Sequence, residues 1–410
     1  MVYKMKAVMY GAGNIGRGFI GGTFSKSGYE VVFVDVNKQL VDRFNSDKQY
    51  PIIIVGGESS REEIIRNVKA VDGNDTADVV KEILTCDIMA TSVGVNVLKY
   101  IAAPIAKGIS ARIAKKKTLN ILLCENLADA NHYFKAELFK HLSPADQEQF
   151  DNYIGLVEAS IGRMIPAMAD NSGNPLKVAV EEFDTLYLDK DGFKGEIPML
   201  YNTVIYSPFQ LYIQRKLFMH NMSHAVAAYL GNLCGYKYIY QAIDRPEISV
   251  ITSGALMESA KAVAKENNTD MDPLIDHAGD LIRRFQNAAL ADTVERVGKD
   301  TIRKLSYSDR LTGALRLCNE HGITPAFICV GIAAALLFAP PSDSQSIELS
   351  TYSKRNGVFE TLVKYAELNR DLKNNTQIKY ISELYKMMSN NMSLNEIIKF
   401  TEKRRLKNEI

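Results

Sequence analysis

The sequence has no surplus of either charge: 49 Lys and Arg stand against 48 Asp and Glu in 410 residues, a net of +1. A nucleic-acid binder draws its affinity from neutralising phosphates, so this balance removes the electrostatic reason to expect one, while leaving room for a local basic pocket. Cysteine is sparse. The five (Cys86, Cys124, Cys234, Cys318, Cys329) are an odd number, scattered and without a CxxC pair. That argues against a disulfide framework or thiolate zinc site and suits a reducing cytoplasm. Long apolar runs are absent. The longest, Phe327 to Ala339, has 13 residues between Pro325 and Pro340, against about 20 for a membrane helix. The run before the first glycine, MVYKMKAVMY, is too short for a signal peptide. The expectation is a soluble cytoplasmic protein with no membrane partner. Its oligomeric state is not set by the sequence, and a monomer is compatible with it.

What is present is ordinary for a globular chain, with 46% apolar and 24% charged residues, and the length suits two or three domains at about 150 residues each. In the first part, KAVMY (6–10), EVVFVD (30–35), PIIIV (51–55), VKAV (68–71), CDIMATSV (86–93) and LNILLCEN (119–126) read as strands alternating with helical segments. Their unbroken apolar runs suit a parallel sheet covered on both faces. LKVAV (176–180) is a further strand signal, before the turn-rich DKDGFKGEIP (189–198). From Ser207 onward the pattern is helical. The predicted organisation is α/β: a doubly wound, Rossmann-type dinucleotide-binding domain over 1–195, then a mainly α-helical catalytic and substrate domain over 196–410. The basic ending KFTEKRRLKNEI alternates in sign and reads as a solvated helix end.

KAVMY runs directly into Gly11-Ala12-Gly13-Asn14-Ile15-Gly16, and the next strand ends in Asp35, 19 residues after Gly16. A lone GxGxxG is weak; this one lies between a strand and a helix. Gly11 permits the tight turn, Gly13 lets the backbone approach a pyrophosphate, and Gly16 allows close helix packing. The N–H groups of the helix start, with Asn14 and Ile15 in its first turn, then hold the phosphates. Asp35 would accept from the adenosine ribose and repel a 2′-phosphate, favouring NAD over NADP. Ser92 and Val93, at the end of a later strand, lie where loops line a cofactor cleft, although a plain strand-end turn fits as well.

Ser207-Pro208 reads as a helix N-cap with proline at the first helical position. At about 100° per residue, Lys216, His220, His224 and Asn221 fall at roughly 0°, 40°, 80° and 140°, one side of the helix. Hydride transfer from an alcohol needs a base for the hydroxyl proton and donors for the developing alkoxide. Lys216 could be that base if its pKa is lowered, with Asn221 and Asn126 as donors and His224 beside the substrate. His220 and His224 also form HxxxH, but HExxH is absent and no third metal ligand is evident. A partly buried amphipathic helix with satisfied polar residues fits the same spacing.

The pattern Lys216-x4-Asn221-x2-His224 resembles the signature of the long-chain polyol-specific dehydrogenases, the mannitol dehydrogenase family. The likeness extends to GAGNIGRGFIG (11–21), CEN (124–126), the run at 215–231 and the run at 296–311. The resemblance implies NAD-dependent, metal-independent interconversion of D-mannitol 1-phosphate and D-fructose 6-phosphate. It makes Lys216 the general acid/base, Asn126 and Asn221 the oxyanion donors, and His224 a substrate-orienting group. His220 returns to packing. It also places Arg296 and Lys304 at the substrate. Residues 283–310 hold seven Lys and Arg against four acids, an excess of +3. Arg303 and Arg284 in that segment are candidate phosphate ligands, since a guanidinium matches phosphate oxygens; sign-alternating solvated pairs are the plainer reading.

One position departs from the family pattern. Where relatives read Val-Asp-Arg, this chain has Ile161-Gly162-Arg163, losing an acid that bears on substrate choice. Glu158 would compensate if the segment were helical. Two alternatives follow: a relative acting on an unphosphorylated polyol or sugar acid, and a non-catalytic NAD-binding sensor.

Overall fold

The computed structural model describes residues 5–56, 60–127, 129–166, 173–368, 374–407 and 410. The chain divides into two compact units, Met1–Tyr212 and Ile213–Ile410.

In the first unit, β1 (Lys6–Tyr10), β2 (Glu30–Asp35), β3 (Gln49–Val55), β4 (Arg61–Arg66), β5 (Val68–Asp72), β6 (Ile88–Thr91), β7 (Leu119–Leu123), β8 (Ile154–Ser160), β9 (Val178–Glu181), β10 (Leu186–Asp189) and β11 (Thr203–Tyr206) form two sheets. The larger has the order β11-β10-β8-β7-β6-β1-β2-β5. All its pairings are parallel except that between β8 and β10. Its central strands are buried on both faces: Met9 and Phe33 belong to one core, and Val8 and Val32 to the other. The unbroken apolar runs therefore carry the doubly wound expectation. The strand order reverses direction between β1 and β6, the crevice where such sheets take their ligands.

PIIIV leaves this sheet. It lies in β3, which pairs with β4 and β9 in a separate three-stranded sheet. The reason is visible in its burial, which alternates along β3 as in a strand with one covered face. At the other end, β11 pairs with β10 and carries the first unit to Tyr212, past the boundary expected near residue 195. Ser207 does not cap a helix: its hydroxyl donates to Asp191 Oδ2 at 2.5 Å, and the helix begins two residues after Pro208, at Gln210.

The second unit is helical among its described residues. At its centre lies Ala326–Ala335, buried along its whole length; the longest apolar run of the sequence is thus a core helix. Its approach to Met222–Leu233 depends on Gly331, where a Cβ would overlap the Val226 side chain. Its first turn is closed by Glu258, a buried carboxyl group that accepts from Phe327 N at 2.9 Å and Ile328 N at 3.0 Å. These are donors a helix start leaves without intrahelical partners. Burial pushes Glu258 up to about 8. No helix among the described residues is long and apolar enough to cross a membrane.

Candidate active site

The glycine turn follows β1 directly. Gly11 has φ +101°, and a Cβ there would collide with the Ser92 carbonyl at the end of β6. A Cβ on Gly16 would collide with the Gly11 carbonyl. Gly13 differs: a side chain there would meet nothing within 4 Å, and Gly13 and Asn14 are exposed. The first and third glycines are thus spent on packing, and the second opens the backbone to a ligand, as a pyrophosphate site requires. Ile15 packs against the core beneath. Asp35 is half-buried at the end of β2, where Oδ2 accepts from Ala12 N at 2.7 Å and Oδ1 from Asn37 N at 2.9 Å. Its carboxylate is anchored to the glycine turn itself and keeps lone pairs for two ribose hydroxyls. The residues present fit a dinucleotide.

Beyond Gly16 the helix opens into a wide turn over Gly16–Ile20, closed by the Gly21 N–H on the Gly16 carbonyl. Such i→i+5 turns are rare and recur at functional sites. Side chains from elsewhere reach its carbonyls. Tyr50 donates its hydroxyl to Arg17 O at 2.6 Å, and Arg163 Nη1 donates to Gly18 O at 3.1 Å.

Sequence reasoning passed over Glu125, between Cys124 and the expected oxyanion donor Asn126. Glu125 is buried after β7 and accepts from Val93 N at 3.0 Å and Gly94 N at 2.8 Å. It shapes the Ser92–Gly94 loop and neutralises the start of the helix Val95–Ala114. The Val93 N–H is committed to it, and the Val93 side chain packs against the core. The only sequence signal was its place within CEN. Asn126 itself is exposed, in the loop after β7.

Glu158 corrects an expectation. Its segment is the strand β8, so the helical spacing that would have set it over Gly162 does not exist. Its carboxylate instead accepts from the Ala130 and Asn131 N–H groups, and burial raises its pKa. A Cβ at Gly162 would lie 3.3 Å from the Phe183 ring, so a side chain there would press against it.

In the second unit, the helix carrying Lys216 is not regular. Arg215–Asn221 is a second wide turn, followed by the α-helix Met222–Leu233. The even spacing at 100° per residue therefore fails. An i→i+5 turn advances less than 100° per residue, which moves Asn221 toward the side of Lys216. Both are half-buried. Hydroxyls again reach the carbonyls of the turn: Ser259 donates to Phe218 O and Ser223 to Met219 O, each at 2.7 Å.

His224 stacks on Phe285 at 4.6 Å with 10° between the ring planes. Its Nε2 lies 3.2 Å from Asp292 Oδ2, off the line of a regular hydrogen bond. Burial lowers the His224 pKa, and Asp292 opposes that. Burial alone would raise Asp292, but His224 and Arg296 outweigh it and hold the carboxyl below its ordinary value. His220 is buried one turn away, 6.1 Å from His224 between ring centroids. Burial, then the Arg284 charge, drives its pKa well down. Among the described residues no group of three or more His, Cys, Asp or Glu is placed to hold a metal ion.

The basic segment is broken into short helices, Val294–Gly298 and Thr301–Leu305, after the helix Asp272–Phe285. Arg296 is half-exposed and grips Asp292 Oδ1 with Nε at 2.7 Å and Nη2 at 2.5 Å. Arg284 is buried, 3.6 Å from Asp280 Oδ2. Arg303 is half-exposed between Asp309 at 3.1 Å and Asp300 at 3.5 Å. Lys304 is buried and gives its Nζ to the Val297 and Lys299 carbonyls. Burial, then the charges of Arg310 and Arg303, brings its pKa down to about 7. The structure thus joins Arg296 to His224 through Asp292, while the Lys304 amine is occupied by backbone.

Two family models account for nearly the whole chain: the mannitol dehydrogenase Rossmann domain over residues 5–202 and the mannitol dehydrogenase C-terminal domain over 209–400. A mannitol-1-phosphate 5-dehydrogenase of Caldanaerobacter subterraneus subsp. tengcongensis is 39% identical over 86% of this chain and 92% of its own length. One of Thermoanaerobacter pseudethanolicus is 38% identical over 92% and 97%. The fold matches D-sorbitol dehydrogenase in substrate-free form with a TM-score of 0.80 at 17% identity, over 95% of this chain and 94% of that one. It also matches Pseudomonas fluorescens mannitol 2-dehydrogenase, solved with NAD and D-mannitol, with a TM-score of 0.74 at 14% identity, over 98% and 95%.

Proposed function

This chain belongs to the mannitol dehydrogenase family, and from that premise we propose that it is an NAD-dependent polyol-phosphate dehydrogenase interconverting D-mannitol 1-phosphate and D-fructose 6-phosphate. The observation that carries the reading is the 39% identity to a mannitol-1-phosphate 5-dehydrogenase across 92% of that relative's length. The exposed Gly13 backbone, the anchored Asp35 and the Ser92–Gly94 loop support the choice of NAD. The five free thiols suit a reducing cytoplasm.

Gly11, Gly13, Asn14, Ile15 and Gly16 form the phosphate turn, Asp35 takes the ribose hydroxyls, and Ser92 and Val93 line the loop. A dinucleotide held there would supply the hydride acceptor for polyol oxidation and, reduced, the hydride donor for ketose reduction. Lys216 takes the hydroxyl proton in oxidation and returns it to the carbonyl oxygen in reduction. Asn221 and Asn126 donate to the oxygen as its charge develops. His224 orients the substrate hydroxyls. Arg296, with Arg284 and Arg303 in the same basic segment, supplies the attraction for the phosphate, and Lys304 sits beside them with its amine on the Val297 and Lys299 carbonyls.

Gly162 favours a second reading. It offers no acid where the family pattern has one, and an unphosphorylated polyol or sugar acid is the alternative substrate. A panel of fructose 6-phosphate, fructose and uronate-type keto acids with NADH, with and without EDTA, decides between them. The expected result is preference for fructose 6-phosphate, unaffected by the chelator. Preference for an unphosphorylated sugar overturns the phosphate assignment.

A further inference from the structure

Asp292 lies between the helical turn Ala288–Leu290 and the helix Val294–Gly298, with its side chain 8% exposed. A buried carboxylate needs partners to stay charged, and its two oxygens are divided between two different groups. Oδ1 holds the Arg296 guanidinium through Nε and Nη2. Oδ2 faces His224 Nε2 at 3.2 Å.

The His224 ring has little freedom left. Phe285 is stacked on its face at 4.6 Å, so its plane is set by packing. The remaining variable is which nitrogen carries the proton. A carboxylate 3.2 Å from Nε2, although off the line of a regular hydrogen bond, favours a proton on that nitrogen by its charge and so the Nε2–H tautomer, with Nδ1 as the acceptor. The cations acting on the ring, Arg296 and Lys304, both disfavour its protonation. Asp292 opposes them. Arg296 shares that carboxylate, so a substrate anion that draws the guanidinium away alters the charge beside the histidine.

We propose that Asp292 is a positioning residue for the polyol-phosphate reaction, joining His224 and Arg296 into one unit that sets the histidine tautomer and ties it to anion binding. The proposal rests on the reading of His224 and Arg296 as substrate-facing groups. Asp292 acts through both and touches neither substrate nor cofactor itself.

The test compares wild type, Asp292→Asn, His224→Asn and the double variant of the full chain, with fructose 6-phosphate and NADH across pH 5.5 to 9. Asp292→Asn keeps the side-chain volume and removes the charge. Its kcat/KM is expected to fall about tenfold to a hundredfold, with an altered pH profile and NADH affinity within about twofold of wild type. In the His224→Asn background the further loss should shrink to about threefold or less, because residues acting as a unit are not additive. A folded Asp292→Asn enzyme with wild-type kcat/KM and pH profile overturns the proposal, as do fully additive losses. Should that variant not fold, 15N spectra of histidine-labelled wild type still decide: an Nε2–H signature for His224 supports the proposal, and Nδ1–H overturns it. Absence of wild-type turnover on every sugar phosphate removes the functional reading, whereas the tautomer signature still judges the Asp292–His224 pairing.

Discussion

Arg163 Nη1 donates to the carbonyl of Gly18 at 3.1 Å, across 145 residues of sequence. The same guanidinium donates through Nε and Nη2 to Glu181 O, so one buried side chain ties the helix after the glycine turn to β9. A wide turn strains the regular pattern of backbone bonds, and outside donors compensate. Tyr50 and Arg163 do so in the first unit, as Ser259 does beside Lys216 in the second.

Removing those donors should loosen the cofactor turn. Arg163→Met leaves the buried Gly18 and Glu181 carbonyls short of partners, at about 1–3 kcal/mol for each group left unsatisfied. Tyr50→Phe removes a single bond and should cost about 1 kcal/mol. Urea unfolding reads the stability loss, and NADH titration should show affinity weakened more by Arg163→Met than by Tyr50→Phe. Wild-type NADH affinity in a folded Arg163→Met protein would separate the turn from cofactor binding.

Lys216→Ala should lower turnover by orders of magnitude, because no proton acceptor then serves the substrate hydroxyl, while NADH binding stays close to wild type. Stopped-flow hydride transfer with fructose 6-phosphate checks the first part and equilibrium titration the second. Ordinary turnover would remove Lys216 from its role.

Asp35→Ser should move cofactor preference toward NADPH, since the variant lacks the charge that repels a 2′-phosphate. The measured quantity is the ratio of kcat/KM for NADH and NADPH. A wild type that already prefers NADPH would contradict the role given to this carboxylate.

Lys304 links stability to pH. Its folded pKa, down to about 7, lies below that of a free lysine. Between about pH 7 and 10.5 the unfolded chain therefore binds more protons at this site than the native one, and stability rises with pH there. The contribution is complete above the unfolded value and is lost as pH falls through about 7. Denaturant unfolding at pH 7 and pH 9 should show a gain in wild type that shrinks in Lys304→Met. That variant is also destabilised overall, because the Val297 and Lys299 carbonyls lose their donor. An equal gain in both proteins would place the proton linkage elsewhere.

Local and repetitive signals were legible in the chain. The runs at β1, β2 and β6 are apolar without interruption because both of their faces are covered, and that pattern needs no knowledge of what covers them. Gly11, Gly16 and Asp35 were readable for the same reason: a tight turn, a close contact and a strand-end acid are properties of a few neighbouring residues. Glu125 and Asp292 were not, because each acts on groups brought to it by folding. Glu125 serves the Val93 and Gly94 N–H groups, and Asp292 serves His224 across 68 positions.

Sequence alone determined the doubly wound first unit, the helical second one, the dinucleotide turn and the Lys216-x4-Asn221-x2-His224 pattern. Tertiary structure decided the rest: β3 in a separate sheet, the first unit extended to Tyr212, and the helices at Gly16 and Arg215 wound wide. Periodicity cannot reveal a wide turn, because its donors lie on distant segments. Tyr50 and Arg163 reach the first turn, and Ser259 the second, only after the chain has folded around them.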